Sequence, residues 1–287
     1  MSELIDSPKS YSPAKFASIN PGDRVALAVS YDGSAFRGWQ SQQKPKVPTV
    51  QDSLESALSY IANQPVKVQC AGRTDSGVHA THQLVSFESP VARSEKAYVN
   101  GGNTRLPDSV AIHWAKPVAH EFHARFSATA RRYRYIILNS SIKPAILPNG
   151  VTHQPWPLNA GRMHAAAQAL VGELDFTSFR AVACQSNTPM RNIHFVRVSR
   201  HQDMVVIDIQ ANAFLYHMVR NIAGALMEVG MGRQPIEWIA DVLALRDRTK
   251  SAATASPCGL YLVDVEYPDL FGLPDVVVGP YFLPATN

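Results

Sequence analysis

The chain has few cysteines, few charged residues and no long hydrophobic run. Only three of its 287 residues are cysteines, Cys70, Cys184 and Cys258, and they lie far apart. Such spacing excludes a disulfide framework and favours a reducing compartment, so we expect a cytoplasmic protein. No run is long enough to cross a bilayer, and the N-terminus lacks the basic and then apolar pattern of a secretory signal. We therefore expect no membrane partner.

Several motifs for catalysis and cofactor binding are also missing. There is no Gly-x-x-x-x-Gly-Lys-Ser/Thr loop, no Gly-x-Gly-x-x-Gly after a strand and no Gly-x-Ser-x-Gly elbow. Histidines such as His79 and His82 could bind a metal in principle. No cysteine pair and no His-Glu-x-x-His pattern supports this, so we predict no metal site.

The remaining composition is that of a globular protein with a small excess of positive charge. Hydrophobic residues make up 46% of the chain, charged residues make up 17%, and the formal net charge is +4. This is sufficient for a packed core, in one large domain or two modest ones. The basic balance permits a polyanionic partner such as nucleic acid without requiring one.

Hydrophobic periodicity predicts the same order of elements, β-α-β-β-α-β, in both halves of the chain. In the first half the expected elements are strands at 24–31, 66–71, 83–88 and 110–116 and helices at 49–62 and 94–101. In the second half they are strands at 129–138, 192–199, 204–211 and 260–267 and helices at 159–171, 215–229 and 235–245. This order is that of the ferredoxin-like unit, to which RRM domains are related.

The fold class is therefore predicted to be α+β, with two ferredoxin-like, RRM-like halves joined into one mixed, mainly antiparallel sheet. We expect helices on one side of this sheet and a catalytic cleft on the other. Residues 1–21 are expected to form a flexible N-terminal tail. Residues 22–120 are expected to form the N-terminal domain, and residues 128–287 the C-terminal domain with an extension that wraps the surface. RRM-type sheets bind RNA, which raises the expectation of an RNA partner but does not fix the function.

The stretch from Gly72 to Ala80, Gly-Arg-Thr-Asp-Ser-Gly-Val-His-Ala, is the most distinctive in the chain. It places Asp75 on a glycine-flanked turn between two predicted strands, with Arg73 just before it. Glycine allows close approach by a ligand, and loops on a rigid sheet often carry function. An Asp can also close such a turn through its own backbone, and for this stretch taken alone that plainer interpretation is favoured.

Two further segments combine basic residues with apolar ones. In the strand at 129–138, Tyr133 and Tyr135 alternate with Arg132 and Arg134. This pattern fits a nucleic-acid surface and, equally well, core tyrosines backed by a solvated basic face.

The mostly apolar helix at 215–229 carries one arginine, Arg220, in its middle. A buried arginine needs a partner, unless its side chain extends to solvent. Asp75 is the obvious candidate for that partner. Such a pair is expected to lower the pKa of Asp75 and keep it ionised for nucleophilic or basic catalysis.

These segments together resemble the tRNA pseudouridine synthases of the TruA type. The resemblance runs from Val25 to Leu283, and beyond Gly72–Ala80 it includes Tyr31–Gly33, Gly38–Gln40, Phe122–Tyr135, Asp175–Arg180, Asn212–Phe214, His217–Arg220 and Gly259–Leu262. Ser76 stands where the family usually has Ala, and the N-terminal tail is longer than usual. The resemblance implies isomerisation of uridine to pseudouridine at positions 38, 39 and 40 of the tRNA anticodon stem-loop. It also implies a homodimer that needs no cofactor or metal.

The resemblance also implies roles for individual residues. Asp75 would act on a uridine turned out of its stem, by attack at C1′ or C6 or as a base, and these alternatives stay open. Tyr133 would stack on the base, with or without transferring a proton, Arg220 would pair with Asp75, and Leu260 would form an apolar wall. The residues implied to contact tRNA are Arg73, Arg93, Phe122, His123, Ala124, Arg125, Phe126, Ala183, Cys184, Gln185, Ser186 and Asn187.

Two other functions fit part of the sequence. An RNA-binding module without catalysis would explain the arginines and tyrosines, but not the lone Arg220 or the position of Asp75. A nucleoside hydrolase would use a carboxylate, but such enzymes usually need a second carboxylate near the first. No Asp or Glu lies close to Asp75 in the sequence.

Overall fold

The structure of the protein is a computed structural model that describes residues 17–283. Its strands are Ser18–Ile19 (β1), Arg24–Tyr31 (β2), Gln69–Cys70 (β3), His79–Glu88 (β4), Arg93–Ser94 (β5), Val110–Val118 (β6), Ala130–Asn139 (β7), Thr152–Gln154 (β8), Gly172–Asp175 (β9), Met190–His201 (β10), Met204–Ala211 (β11) and Leu260–Glu266 (β12). Its α-helices are Val50–Ala62 (α1), Ala160–Ala167 (α2), Met218–Gly230 (α3) and Trp238–Leu245 (α4).

One large sheet runs through both halves of the chain. Its strand order is β6-β2-β4-β12-β7-β11-β10-β9, with β3 beside β4 and β8 beside β7. Each half contains the strand order of a ferredoxin-like unit, β6-β2-β4-β3 in the first and β12-β7-β11-β10 in the second. The β4–β12 and β7–β8 pairs are parallel, and the other neighbours are antiparallel. The α+β class and the two joined halves are therefore confirmed.

The two halves meet at the parallel β4–β12 pair, which we call the seam. His79, the first residue of β4, holds this junction together. Its Nε2 donates to the carbonyl oxygens of Asn149 (2.8 Å) and Cys258 (3.0 Å), while its Nδ1 accepts from the amide of Gly33 (3.1 Å). The ring also stacks on Tyr261, with 4.6 Å between centroids. This histidine thus has a structural role in joining the halves.

Helix α1 shows how local sequence sets an element. Thr49 caps its start, with Oγ1 accepting from the amide of Asp52 at 3.2 Å, and the Asp52 carboxylate lies in the first turn, where the helix dipole favours it. The helix ends at Ala62, and the next residue, Asn63, adopts a left-handed conformation with φ of 52°. These bounds match the predicted helix.

Some elements are shorter than the sequence predicted. The strand expected at 66–71 is only Gln69–Cys70, because side chains of α1 pair with the amides before it. The amide of Val66 donates to Ser59 Oγ (2.9 Å), and that of Val68 donates to Glu55 Oε1 (3.1 Å). Likewise, α3 begins at Met218 instead of residue 215. The short helix expected at 94–101 is present at residues 95–103, and Ala97–Gly101 within it is π-helical.

The predicted flexible tail is too long. Residues 1–16 lie outside the described residues, but Ser18–Ile19 pairs with Arg93–Ser94 as a small antiparallel sheet. Ile19 is fully buried in the core, so its apolar side chain fixes this end of the segment. The division into domains at 22–120 and 128–287 stays a prediction.

The faces of the sheet differ from the expectation in one respect. Tyr133 points into the same core as Met218 and Ile222 of α3. The side chains expected to form the cleft therefore lie on a helix-covered face, and not on the face opposite the helices. The opposite face is covered by the C-terminal extension, where Val278 and Phe282 pack beside β12. The expectation that this extension wraps the surface agrees with these contacts.

Candidate active site

The loop that carries Asp75 is a tight turn immediately before β4. The carbonyl of Asp75 accepts from the amide of Val78 at 3.1 Å, and Gly77 at the third position has φ of +77°. A positive φ at this position is what a type II turn requires, and glycine adopts it without strain. A neighbouring loop holds the turn, since the amide of Trp39 donates to the carbonyl of Thr74 at 3.0 Å. Gly38 permits this approach, because a Cβ atom there would lie 2.9 Å from the same carbonyl.

The Asp75 carboxylate faces the start of α3 across the seam. Its Oδ2 lies 3.7 Å from Nη1 of Arg220 and 3.4 Å from Nε2 of His217. The Arg220 guanidinium is braced by its Nε, which donates to the carbonyl of Ala255 at 2.8 Å. The predicted proximity of Arg220 and Asp75 is thus confirmed. Both of these contacts involve Oδ2.

The pKa of Asp75 differs from the expectation. Burial raises the pKa of this carboxyl above its ordinary value, and the nearby His217 and Arg220 only partly oppose that effect. Arg220 lowers the pKa of Asp75 as expected, but the effect of burial is larger, because only a quarter of the side chain is exposed, and the net shift is upward. Burial also lowers the pKa of His217, so that its imidazole is neutral at neutral pH and Arg220 is the cation of the pair.

His217 is a site residue to which the sequence assigned no role. It adopts a left-handed conformation with φ of 60° just before α3, and its ring stacks on Tyr216 with 3.9 Å between centroids. Non-glycine residues in this conformation are uncommon and often occur at functional sites. The signal available in the sequence was the shared helical stripe of His217 and Arg220. Helical spacing alone could not show that both side chains lie close to Asp75.

Tyr133 and Leu260 lie on adjacent strands beside this pair. Tyr133 is only 8% exposed, and its ring meets that of Phe214 edge to face at 5.1 Å. Burial raises the pKa of Tyr133, and the charge of Asp75 adds to the increase, so the hydroxyl stays protonated. Leu260 is 5% exposed at the start of β12, opposite Tyr135 of β7. The structure thus groups Asp75, Arg220, Tyr133 and Leu260 at the seam.

A basic group lies next to the Asp75 turn. Burial raises the pKa of the Cys70 thiol, and the charges of Arg73, Arg125 and Arg131 partly oppose this increase. Arg131 is committed to the fold, because it donates to the carbonyls of Ala71 (3.0 Å) and Arg125 (2.6 Å). Arg73 and Arg125 are exposed, as tRNA contacts must be.

The loop at 122–126 is only partly available to a partner. Phe122 and Ala124 are buried, and Phe122 packs against Tyr267 with 5.1 Å between ring centroids. The predicted contacts of these two side chains with tRNA are therefore corrected, because both belong to the core. Phe126 is 76% exposed, and His123 Nδ1 accepts from the amides of Arg125 and Phe126, which shapes the exposed part of the loop.

The basic face of β7 is an internal ion-pair network. Arg132 binds both oxygens of Asp208 at 2.7 Å, and Arg134 donates to the same carboxylate at 2.9 Å. Arg134 is also buried, at 3% exposure. Neither the nucleic-acid surface nor the solvated face is found here, because both arginines are paired with one carboxylate on the neighbouring strand β11.

The remaining predicted tRNA contacts differ in exposure. In the loop at 183–187, Arg180 donates to the carbonyls of Cys184 (2.9 Å) and Ser186 (2.7 Å), while Ala183, Gln185 and Asn187 are exposed. Cys184 Sγ accepts from the amide of Tyr216 at 3.4 Å, so this loop adjoins His217.

Arg93 is half-buried at the end of α1. Its Nε donates to the carbonyl of Ile61 at 2.8 Å, which commits part of its hydrogen-bonding capacity to the fold. Its contact with tRNA stays a prediction.

Neither a metal cluster nor a membrane span is found in the described part of the chain. Within residues 17–283, no three His, Cys, Asp or Glu side chains are grouped so that they could hold a metal ion. Over the same residues, no helix is long and apolar enough to cross a membrane.

Comparison with known proteins identifies the family. A family model described as tRNA pseudouridine synthase matches residues 27–127 and 166–268. The tRNA pseudouridine synthase A of Shewanella amazonensis is 59% identical over 261 residues, which cover 91% of this chain and 99% of that protein. Those of Shewanella loihica and Shewanella halifaxensis are 58% and 59% identical over 260 residues, with the same coverage.

The fold, the buried carboxylate and these matches define the class of the protein, which is that of the pseudouridine synthases, a class of isomerases. Within this class, the chain belongs to the tRNA pseudouridine synthase family.

Proposed function

We propose that this protein isomerises uridine to pseudouridine at positions 38, 39 and 40 in the anticodon stem-loop of tRNA. The observation on which this rests is the Asp75 carboxylate, three-quarters buried at the seam and faced by Arg220, in a chain of this family. A buried carboxylate that is faced by a cation is suited to act on a nucleoside. We extend the proposal to a homodimer located in the cytoplasm.

The chemistry needs no external reagent. The bond between C1′ and N1 breaks, the uracil turns within the closed site, and a bond between C1′ and C5 forms. C5 loses one proton and N1 gains one, so the composition and the oxidation state are unchanged. We therefore propose the reaction without a cofactor or a metal. Asp75 acts on the nucleoside, Arg220 stabilises the ionised carboxylate, and Leu260 lines the ring.

The residues that we propose to bind tRNA lie beside the Asp75 turn. Arg73 and Arg125 form the exposed part of the basic group around Cys70, and Phe126 offers an exposed ring for stacking. The loop at 183–187 borders the other side of the site through Tyr216. Because the target uridine is stacked in a stem, we propose that Arg73 takes up its place when the nucleotide turns out.

The direct test uses purified protein and three tRNA transcripts. In each transcript, only one of positions 38, 39 and 40 is a uridine. We expect pseudouridine at each position when the products are mapped, and no free uracil. Transcripts with cytidine at all three positions serve as the control. Release of free uracil would indicate a nucleoside hydrolase, and RNA that is bound but unchanged would indicate a binding module.

We predict that Tyr133→Phe slows the chemical step by at least about tenfold while tRNA affinity is retained. The reason is that the protonated hydroxyl lies beside the Asp75 turn, where it can donate a proton or a hydrogen bond during the rearrangement. Single-turnover rates and filter binding measure the two effects. Tyr135→Phe is the matched control, because its hydroxyl binds Thr152 and Ser256 within the fold. An unchanged rate in Tyr133→Phe would reduce this residue to a stacking surface.

A further inference from the structure

Strand β4 contains a buried glutamine that is directed at the backbone leading to Asp75. Gln83 is fully buried. Its Nε2 donates to the carbonyl of Gly72 at 2.5 Å, and its Oε1 accepts from the amide of Gly72 at 3.2 Å. Both backbone groups of one residue are therefore paired with a single side chain.

This pairing replaces a strand ladder at the point where the ladder ends. Strand β3 stops at Cys70, and the amide of Ala71 still donates to the carbonyl of Leu84 at 2.8 Å. At the next residue the chain turns away, and the side-chain amide of Gln83 supplies the donor and the acceptor that a neighbouring peptide group would have supplied. Without it, two partly buried backbone groups of Gly72 would lose their partners, which is costly.

The same network reaches a second residue next to the turn. Gln83 Nε2 lies 3.4 Å from Tyr31 Oη, which is 2.8 Å from Thr74 Oγ1. Tyr31 and Thr74 are both buried. The residues on both sides of Arg73 are thus fixed from the interior of the N-terminal half, and Asp75 follows directly.

We propose that Gln83 is a positioning residue for Asp75 in the uridine isomerisation proposed above, on which this inference rests. Arg220 and His217 approach Asp75 from the other half of the molecule. The position of the carboxylate relative to these two side chains must therefore be fixed. The Gln83 network fixes this position because it holds Gly72 directly and holds Thr74 through Tyr31. Misplacement of a reacting group by about 1 Å can cost a hundredfold in rate, so loss of this anchor reduces turnover without removing a group that contacts substrate.

The first test compares Gln83→Met with Gln210→Met. Both glutamines are buried on strands of the large sheet, but Gln210 binds Glu266 at 2.9 Å and not the Asp75 turn. We expect both variants to melt at a lower temperature. Only Gln83→Met should lower the single-turnover rate per folded molecule, by at least about tenfold, with tRNA affinity within about threefold. Equal rates in the two variants would overturn the inference.

The second test uses Gln83→Glu and remains decisive if Gln83→Met fails to fold. A buried carboxyl is favoured in its neutral form, which can donate to the carbonyl of Gly72 and accept from its amide. As the pH rises, ionisation removes the donor and sets a negative charge against that carbonyl. We therefore expect a rate that falls with rising pH in this variant and not in the wild type. Burial raises the pKa of both Tyr31 and Cys70, so neither titrates in this range.

The outcomes separate the inference from the proposed function. If the wild-type protein makes no pseudouridine, the proposed function fails. If the wild type is active and Gln83→Glu shows the wild-type pH profile, only the positioning role fails.

Discussion

Asp75→Asn is expected to reduce pseudouridine formation below detection while tRNA affinity stays within about tenfold, or ~1.4 kcal/mol. The amide has the shape of the carboxylate, and the turn itself is closed by the backbone of Asp75. The fold of the loop is therefore kept, but the group can no longer act as a nucleophile or a base. The affinity for tRNA is retained because the proposed contacts with tRNA are made by Arg73, Arg125 and the loop at 183–187. Single-turnover assays and filter binding measure the two quantities.

Asp32→Asn provides the matched control for this variant. Asp32 precedes another turn, which lies near the start of β4. Its Oδ1 accepts from the amide of Ser34 at 2.9 Å, and its side chain is 57% exposed. Asparagine suits the same turn, so we expect nearly normal turnover. Asp75→Ala is measured in parallel as a second removal of the carboxylate. Turnover that survives in both Asp75 variants would exclude the proposed role, and equal loss of turnover and affinity would favour the binding module.

The sequence predicted the main contact of the site because of one physical requirement. An arginine on a mostly apolar helix needs a partner unless its side chain reaches solvent, and the Asp on the glycine-flanked turn was the obvious candidate. The sequence therefore predicted that Arg220 lies next to Asp75, and the structure shows this contact. The strand order was likewise accessible, because period-two and helical patterns alternate in the same order in both halves.

The features that the sequence missed depend on tertiary packing. The sign of the pKa shift at Asp75 is set by how deeply the seam buries it, which no local pattern records. Arg132 and Arg134 looked like a phosphate-binding face because their partner, Asp208, lies on a strand more than seventy residues away. Alternation along β7 correctly separated the tyrosines from the arginines, but it could not show which face the helices cover.

Arg220→Gln is expected to move the acid limb of the rate profile to higher pH by about one unit or more. Activity requires the ionised carboxylate, so the rate falls as the pH falls through the pKa of Asp75. Burial has already raised that pKa, and Arg220 opposes the increase, so removing its charge raises the pKa further. On the acid limb the single-turnover rate should fall by up to about tenfold for each unit of the shift, and the loss should be recovered at higher pH. Burial lowers the pKa of His217 below its ordinary value.

Two further variants decide whether the shift comes from charge at this position. Arg233→Gln removes a charge near the other end of α3, where the side chain is 52% exposed and lies 3.4 Å from Glu228, and its profile should match the wild type. Arg220→Lys keeps the charge but cannot hold Ala255 and face Asp75 at once, so we expect a small shift of the limb with a reduced maximum. An unshifted limb in Arg220→Gln would mean that Arg220 does not control the ionisation of Asp75, and its role would then be confined to orienting the carboxylate.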